Sequence, residues 1–376
     1  MQRILSVLLL LCFAASAEIK YVETPARTVP VIDRVDLVVV GSSEGGMAAA
    51  WKAAKSGAKV MLLNEETVLG SEVTAKGRFL LDGPAPSSEF SKIIFSDLTP
   101  FTYRTTCEAA MQDAGVVYLN NTRSAGVLVD ENDKLCGVVT ANKAGLQAVI
   151  AKVVLDATYT AVVADQAGAE RTPWNVKTLK VSRARFTKNA RNLNEVVKEA
   201  PMPEFNWVNL NKAKALLRGD RQGKVGAAFA YNMHFTMPTM IVAQSGGTDK
   251  TFPGAAELDF NICKPKGFNN LLVLSSSCAL SRDGVEQLMK PVNLAEFGER
   301  LGEHAVKLAQ GITLPKSVSV KTTPVPLQQA EACTTNGGEQ AEACTTNGEQ
   351  AESGIKRGSV RSTHFSVPNL VVKELN

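Results

Sequence analysis

The stretch Val38-Val39-Val40-Gly41-Ser42-Ser43-Glu44-Gly45-Gly46-Met47-Ala48-Ala49-Ala50 constrains the fold more than any other part of the chain. After a polar lead with Pro25, Pro30 and Asp33, a valine-rich run over 35–40 reads as a strand buried on both faces, and Gly41 ends it. Met47 to Ser56 then reads as a helix, Gly57 closes it, and Ala58 to Leu63 supplies a second strand. Strand, tight turn, helix and strand within about 30 residues make a βαβ unit. Its crossover is right-handed, so the two strands run parallel and their carboxyl ends open on one crevice.

In such a turn Gly41 permits the bend, position 43 comes closest to a pyrophosphate, and Gly46 lets the helix pack on the strand. Position 43 is a serine here, which adds a Cβ at the point of approach and a hydroxyl that can donate to a phosphate. Glu44 suits the positive end of a helix, but beside a pyrophosphate it repels the ligand unless it points away. An acid that accepts from ribose hydroxyls is expected where the second strand ends. That position falls on Asn64 or Glu65, depending on a one-residue register.

Downstream, 101–115 has helical spacing and ends in a glycine. The runs VVYLNN, AGVLVDEND, KLCGVVTANKAG and QAVIAKVVLDAT follow it. They read as a small antiparallel meander turning at 130–133, whose last strand returns to Asp156. Residues 173–265 read as a smaller inserted α+β domain, with strands near 177–186 and 227–243 and a helix around 210–218. Residues 270–276 return to a buried strand, and 293–310 form an amphipathic helix carrying Gly298 and Gly302. An eleven-residue unit, QAEACTTNGGE over 329–339, is repeated at once as QAEACTTNGEQ over 340–350. It lacks an apolar face, so 325–358 reads as a linker expected to be disordered and 359–376 as a C-terminal tail.

Composition closes off some functions. Across 376 residues the 41 basic side chains barely exceed the 37 acidic ones, so charge gives no case for nucleic acid. One basic residue, Arg3, then an apolar run over 4–13 and Ala15-Ser16-Ala17 read as a signal peptide over 1–17, too short for a stable membrane span. That implies export to a periplasmic or extracellular location. Cys107, Cys136, Cys263, Cys278, Cys333 and Cys344 show no metal-like spacing and no C-x-x-C. They read as buried apolar fillers, with only Cys333 and Cys344 placed for pairing or surface exposure.

Taken in this order, the segments over 35–170 resemble the FAD-dependent oxidoreductase family with a two-dinucleotide-binding-domain-type flavin fold. The resemblance returns more weakly over 269–312. It implies an α/β, Rossmann-like FAD-binding domain with a β-meander, split between 30–172 and 266–315 around the inserted domain at 173–265. It further implies FAD as cofactor and a small organic molecule as substrate; the oligomeric state stays open. The residues implied as cofactor contacts are Gly41, Ser42, Ser43, Glu44, Gly45 and Gly46, with Asn64 or Glu65 at the ribose and Ser124 near the adenine. Ala157, Thr158 and Tyr159 follow at the pyrophosphate, then Ser275, Ser276 and Gly298.

The chain departs from the family pattern at four of these positions: Ser43 and Ser275 stand where the family has glycines of close approach, Tyr159 where it has the glycine of the return turn, and Asn64 where it has an acid. A flavin-free relative acting as a secreted binding or structural module is therefore the alternative reading. His234, in the inserted domain, is the one catalytic candidate. His304 reads as surface or packing, and Arg78 as a solvated loop residue.

Overall fold

The computed structural model describes residues 27–76, 79, 81, 83–173, 177–186, 193–204, 208–209, 212, 232–235, 239–244, 250–321 and 370–374. The expected signal peptide, Arg78 and the eleven-residue repeat with Cys333 and Cys344 lie outside these residues.

Strand β1 (Arg27–Val40) starts well before the valine run and carries Pro30 and Asp33 inside it. The sequence reading took these residues for a polar lead. They are strand because partners exist for them: Arg27 to Val31 pair in parallel with a strand at Leu370–Glu374 and Val31 to Val40 with β6 (Gly145–Asp156), while Leu37 to Val40 also pair with β2 (Val60–Leu63). Helix α1 (Glu44–Lys55) makes the crossover between β1 and β2, and its first turn reaches three residues closer to Gly41 than Met47.

Strand β3 (Val117–Leu119) extends the parallel sheet beside β2 instead of opening the meander. The meander itself is β4 (Arg123–Val129), β5 (Leu135–Asn142) and the first half of β6, all antiparallel. The second half of β6 then runs beside β1, so one long strand joins the meander to the parallel strands. Its burial follows from this double role, since Ala148 to Ile150 and Val153 to Asp156 are all buried.

Helices α2 (Glu89–Ile94) and α3 (Pro100–Asp113) lie between β2 and β3 in the chain, and α4 (Val162–Ala167) follows β6. A separate three-stranded antiparallel sheet follows in the order β8 (Leu193–Pro201), β7 (Thr178–Phe186), β9 (Asn232–Phe235). It occupies the stretch read as the inserted domain. The main sheet resumes with β10 (Leu271–Val273), parallel to β6. After it come α5 (Arg282–Leu288) and α6 (Pro291–Gln310), the longer helix with proline in its first turn, where no N–H partner is lost.

Two further strands complete the sheet. Strand β11 (Ser319–Val320) pairs with β4, and β12 (Leu370–Glu374) lies between β11 and the start of β1. Strand β12 takes up five residues of the stretch 359–376 that the sequence gives as a C-terminal tail.

The core lies on both faces of the parallel strands. Leu37 and Val39 of β1 join Met47, Trp51, Phe90, Tyr103 and Phe297 on the α1–α3–α6 side. Val38 and Val40 join Val163, Ala164 and Ala167 on the α4 side. Helix α1 lies against α6 along small residues. A Cβ on Gly298 would run into the Gly45 backbone, and one on Gly302 into the Ala49 carbonyl.

Candidate functional site

The carboxyl ends of β1, β6 and β10 meet at one place, and backbone hydrogen bonds tie them. Ala157 N–H donates to the Val40 carbonyl at 2.7 Å, Leu274 N–H to the Asp156 carbonyl at 2.8 Å, and Gly41 N–H to the Leu63 carbonyl at 2.7 Å. The glycine turn 41–46, the return segment 156–159 and the loop 274–278 are therefore neighbours, as the sequence reading expected of them. Gly41 has a φ of +105°, and a Cβ there would run into the Ala157 carbonyl, so both conformation and space require glycine.

Ser43 is the N-cap of α1, its Oγ accepting from Gly46 N–H at 3.2 Å. Among the described residues, the N–H groups of Ser43 and Gly45 meet no acceptor. They lie buried at the positive end of a twelve-residue helix. A phosphate there would receive two backbone donors without any change of fold.

Most of the expected polar side chains knit the site together internally. Ser42 Oγ donates to Asn64 Oδ1 at 2.7 Å. The Asn64 amide donates to the carbonyls of Glu66 and Val68 and to Asn120 Oδ1. Asn64 is thus committed to its own loop, whereas Glu65 beside it is exposed and ion-paired with Arg123 at 3.7 Å. Ser124 Oγ donates to Gln166 at 2.6 Å, Thr158 Oγ1 to Asp156 at 2.6 Å, and Ser276 Oγ to the Tyr159 carbonyl at 2.9 Å.

Ser43 and Ser275 differ, because each accepts from a backbone N–H and keeps its own proton unspent among the described residues. These are the two positions where serine replaces a glycine of close approach. The sequence reading missed Ser277, whose hydroxyl is fully buried with no hydrogen-bond partner among the described residues. No sequence signal separates it from the two serines before it.

Glu44 is turned away from the turn and into the core. Its carboxylate accepts from Glu72 N–H at 3.1 Å, Val73 N–H at 2.9 Å and Tyr103 Oη at 2.9 Å. Burial, and then the neighbouring Glu72 carboxylate, push its pKa up to about 7. The repulsion expected of it near a phosphate is therefore directed elsewhere. It anchors a short π-helical turn, Ser71–Ala75, which starts where Gly70 and Ser71 N–H both donate to the Ser42 carbonyl. Asp156 organises the other wall, accepting from Thr158 N–H, Thr158 Oγ1 and Ala164 N–H, and burial raises it to about 6.

Tyr159 is partly buried, with the Lys76 ammonium 4.1 Å from its ring centroid. Lys76 also pairs with the buried Glu72 at 2.6 Å. The tyrosine that replaces the family's glycine is thus held by the segment that Glu44 anchors.

Gly298 lies in the α1–α6 seam, where helix packing alone accounts for the need for glycine. His234 is in β9, in register with Ser182 of β7. His304 stacks on Phe260 with centroids 4.5 Å apart, a packing role. Among the described residues no group of acidic, histidine and cysteine side chains is placed to hold a metal, and no helix is long and apolar enough to cross a membrane.

A parallel sheet with its glycine turn at a helix N-terminus, followed by a meander that returns a strand to the same crevice, defines a dinucleotide-binding α/β protein. Residues 36–177 match the model of the family described as FAD dependent oxidoreductase. The chain is also 30% identical over 118 residues to a thiamine thiazole synthase from Aeropyrum pernix. That match takes in 28% of the chain and spans only 43% of the length of this curated relative. Among solved structures, similarity extends to a geranylgeranyl bacteriochlorophyll reductase-like protein from Thermoplasma acidophilum, at 15% identity and a TM-score of 0.49, covering 74% of this chain and 79% of the other. It extends also to the flavin-dependent brominase Bmp2, at 13% identity and a TM-score of 0.47, covering 84% and 86%.

Proposed function

We propose that the chain binds FAD where β1, β6 and β10 converge and serves as an exported oxidoreductase acting on a small organic molecule. The observation that carries this reading is the buried N-terminus of α1, where, among the described residues, the Ser43 and Gly45 N–H groups lack acceptors beside a glycine turn that tolerates no side chain at Gly41.

The residues present fit the cofactor. The two free N–H groups and the unspent Ser43 and Ser275 hydroxyls are donors for phosphate and polyol oxygens. The buried, unpartnered Ser277 hydroxyl offers another. Glu65, exposed next to the committed Asn64, is the residue left to accept from ribose hydroxyls. Bound there, FAD would supply two-electron transfer, and the protein's part is to bind, orient and exclude water. Asp156 keeps the return turn in place and Glu44 keeps its own charge out of the phosphate site. The family match over 36–177 gives no support to the flavin-free alternative.

Export rests on the reading of residues 1–17 and the substrate class on the family relationship alone. The decisive experiment refolds the full chain with FAD, removes free flavin and records the absorbance spectrum. A retained, spectrally perturbed flavin at micromolar concentration is expected. A colourless protein that is folded by circular dichroism overturns the proposal.

A further inference from the structure

Two cysteines that the sequence reading took for separate apolar fillers are in contact. Cys263 ends the 3-10 turn Phe260–Cys263, and Cys278 lies in the loop after β10. Their sulfurs are 3.7 Å apart and both side chains are fully buried. The backbones on either side are already tied, with Ala279 N–H donating to the Ile262 carbonyl at 3.1 Å. Closing the gap to a bond of about 2.05 Å needs side-chain rotation and a small approach, not a new chain path.

We propose that Cys263 and Cys278 are a disulfide-forming pair, joined by exchange with a small-molecule or protein disulfide as the chain folds, and that the bond staples the loop 274–280 to the turn at 260–263. In the step, one thiolate attacks the oxidant's S–S bond to give a mixed disulfide and release a thiol. The second thiolate then displaces the other half as a second thiol. The protein loses two protons and two electrons, and the oxidant's disulfide is reduced to two thiols.

The timing follows from burial. In the folded chain neither sulfur is accessible, and desolvation holds the Cys263 thiol well above its ordinary pKa, so exchange belongs to the stage before this loop packs. Once formed, the bond is shielded from reductants in the same way. It also closes a short loop that contains β10 and Ser275 to Ser277, restricting the unfolded chain there. This inference does not depend on flavin binding.

The test unfolds the full chain under reducing conditions and refolds it with oxidised glutathione. The product is quenched in acid, alkylated in denaturant without reductant, digested and analysed by mass spectrometry. The expected result is a cross-linked peptide joining Cys263 to Cys278, lighter by two hydrogens than its parts, with Cys107 and Cys136 alkylated. The melting temperature of this product should fall by several degrees on reduction, and Cys278→Ser should remove that dependence. Full alkylation of Cys263 and Cys278 after oxidative refolding, or a cross-link from either to another cysteine, overturns the proposal. The peptide map of the unsubstituted chain decides the matter even where the serine variant fails to fold.

Discussion

Glu44 carries the most distinctive charge behaviour in the molecule. Its carboxyl is raised from an ordinary value of 4.5 to about 7, with burial the first cause and the Glu72 charge the second. The folded state therefore holds a proton that the unfolded state releases at lower pH. Its stabilising effect is complete below about 4.5 and is lost as pH rises towards about 7, a change on the order of 3 kcal/mol. Denaturant midpoints measured across this window should fall with rising pH. Glu44→Gln should flatten that component while lowering stability at acid pH by about 1–3 kcal/mol, because one backbone N–H loses its side-chain acceptor. Tyr159 makes a second prediction at this scale. If its ring must leave the Lys76 ammonium to admit a flavin, Tyr159→Gly should tighten FAD binding about tenfold, equal to ~1.4 kcal/mol and within the range of a cation–π contact. Unchanged affinity in a flavin titration would show that the ring does not compete.

At the scale of elements, the α1–α6 contact sets the position of the α1 N-terminus. Gly45 packs against Leu274 and Leu294, Gly298 faces Gly45, and Gly302 faces Ala49, so the two backbones approach without side chains between them. Gly302→Val should cost at least about 1–3 kcal/mol by overpacking, read as a lowered urea midpoint, since the obstacle is backbone and cannot rotate away. The same crossing explains what was legible in the sequence and what was not. The βαβ unit, the meander and the return strand follow from hydrophobic pattern and turn residues, which are local. The role of Gly298 was not legible, because a glycine facing a helix and one facing a ligand look alike in sequence. Glu44 was ambiguous for a similar reason: its direction depends on the phase of the first helical turn, and its partners at 72, 73 and 103 come from two other elements. The proline and aspartate in the first half of β1 read as a lead because the neighbouring strands that make them strand residues lie more than a hundred positions away.

For the whole molecule, the parallel strands β3, β2, β1, β6 and β10 place every loop that bears on the candidate site at one end of one sheet, while the meander occupies the continuation of β6. Much of the site's polarity is consumed in holding these loops to one another, which leaves the ligand-facing part to backbone donors and three serines. The closing pair of strands has a different consequence. Because β11 and β12 are hydrogen-bonded to each other, the stretch 322–369, which contains both copies of the eleven-residue unit, begins and ends at the same place on the sheet. For the linker that the sequence implies there, closure entropy grows only logarithmically with length, and one more copy should cost about 0.2 kcal/mol. A variant lacking 340–350 should unfold at a denaturant midpoint indistinguishable from that of the full chain. Slippage that duplicates this unit is then a change on which selection for stability has almost no purchase.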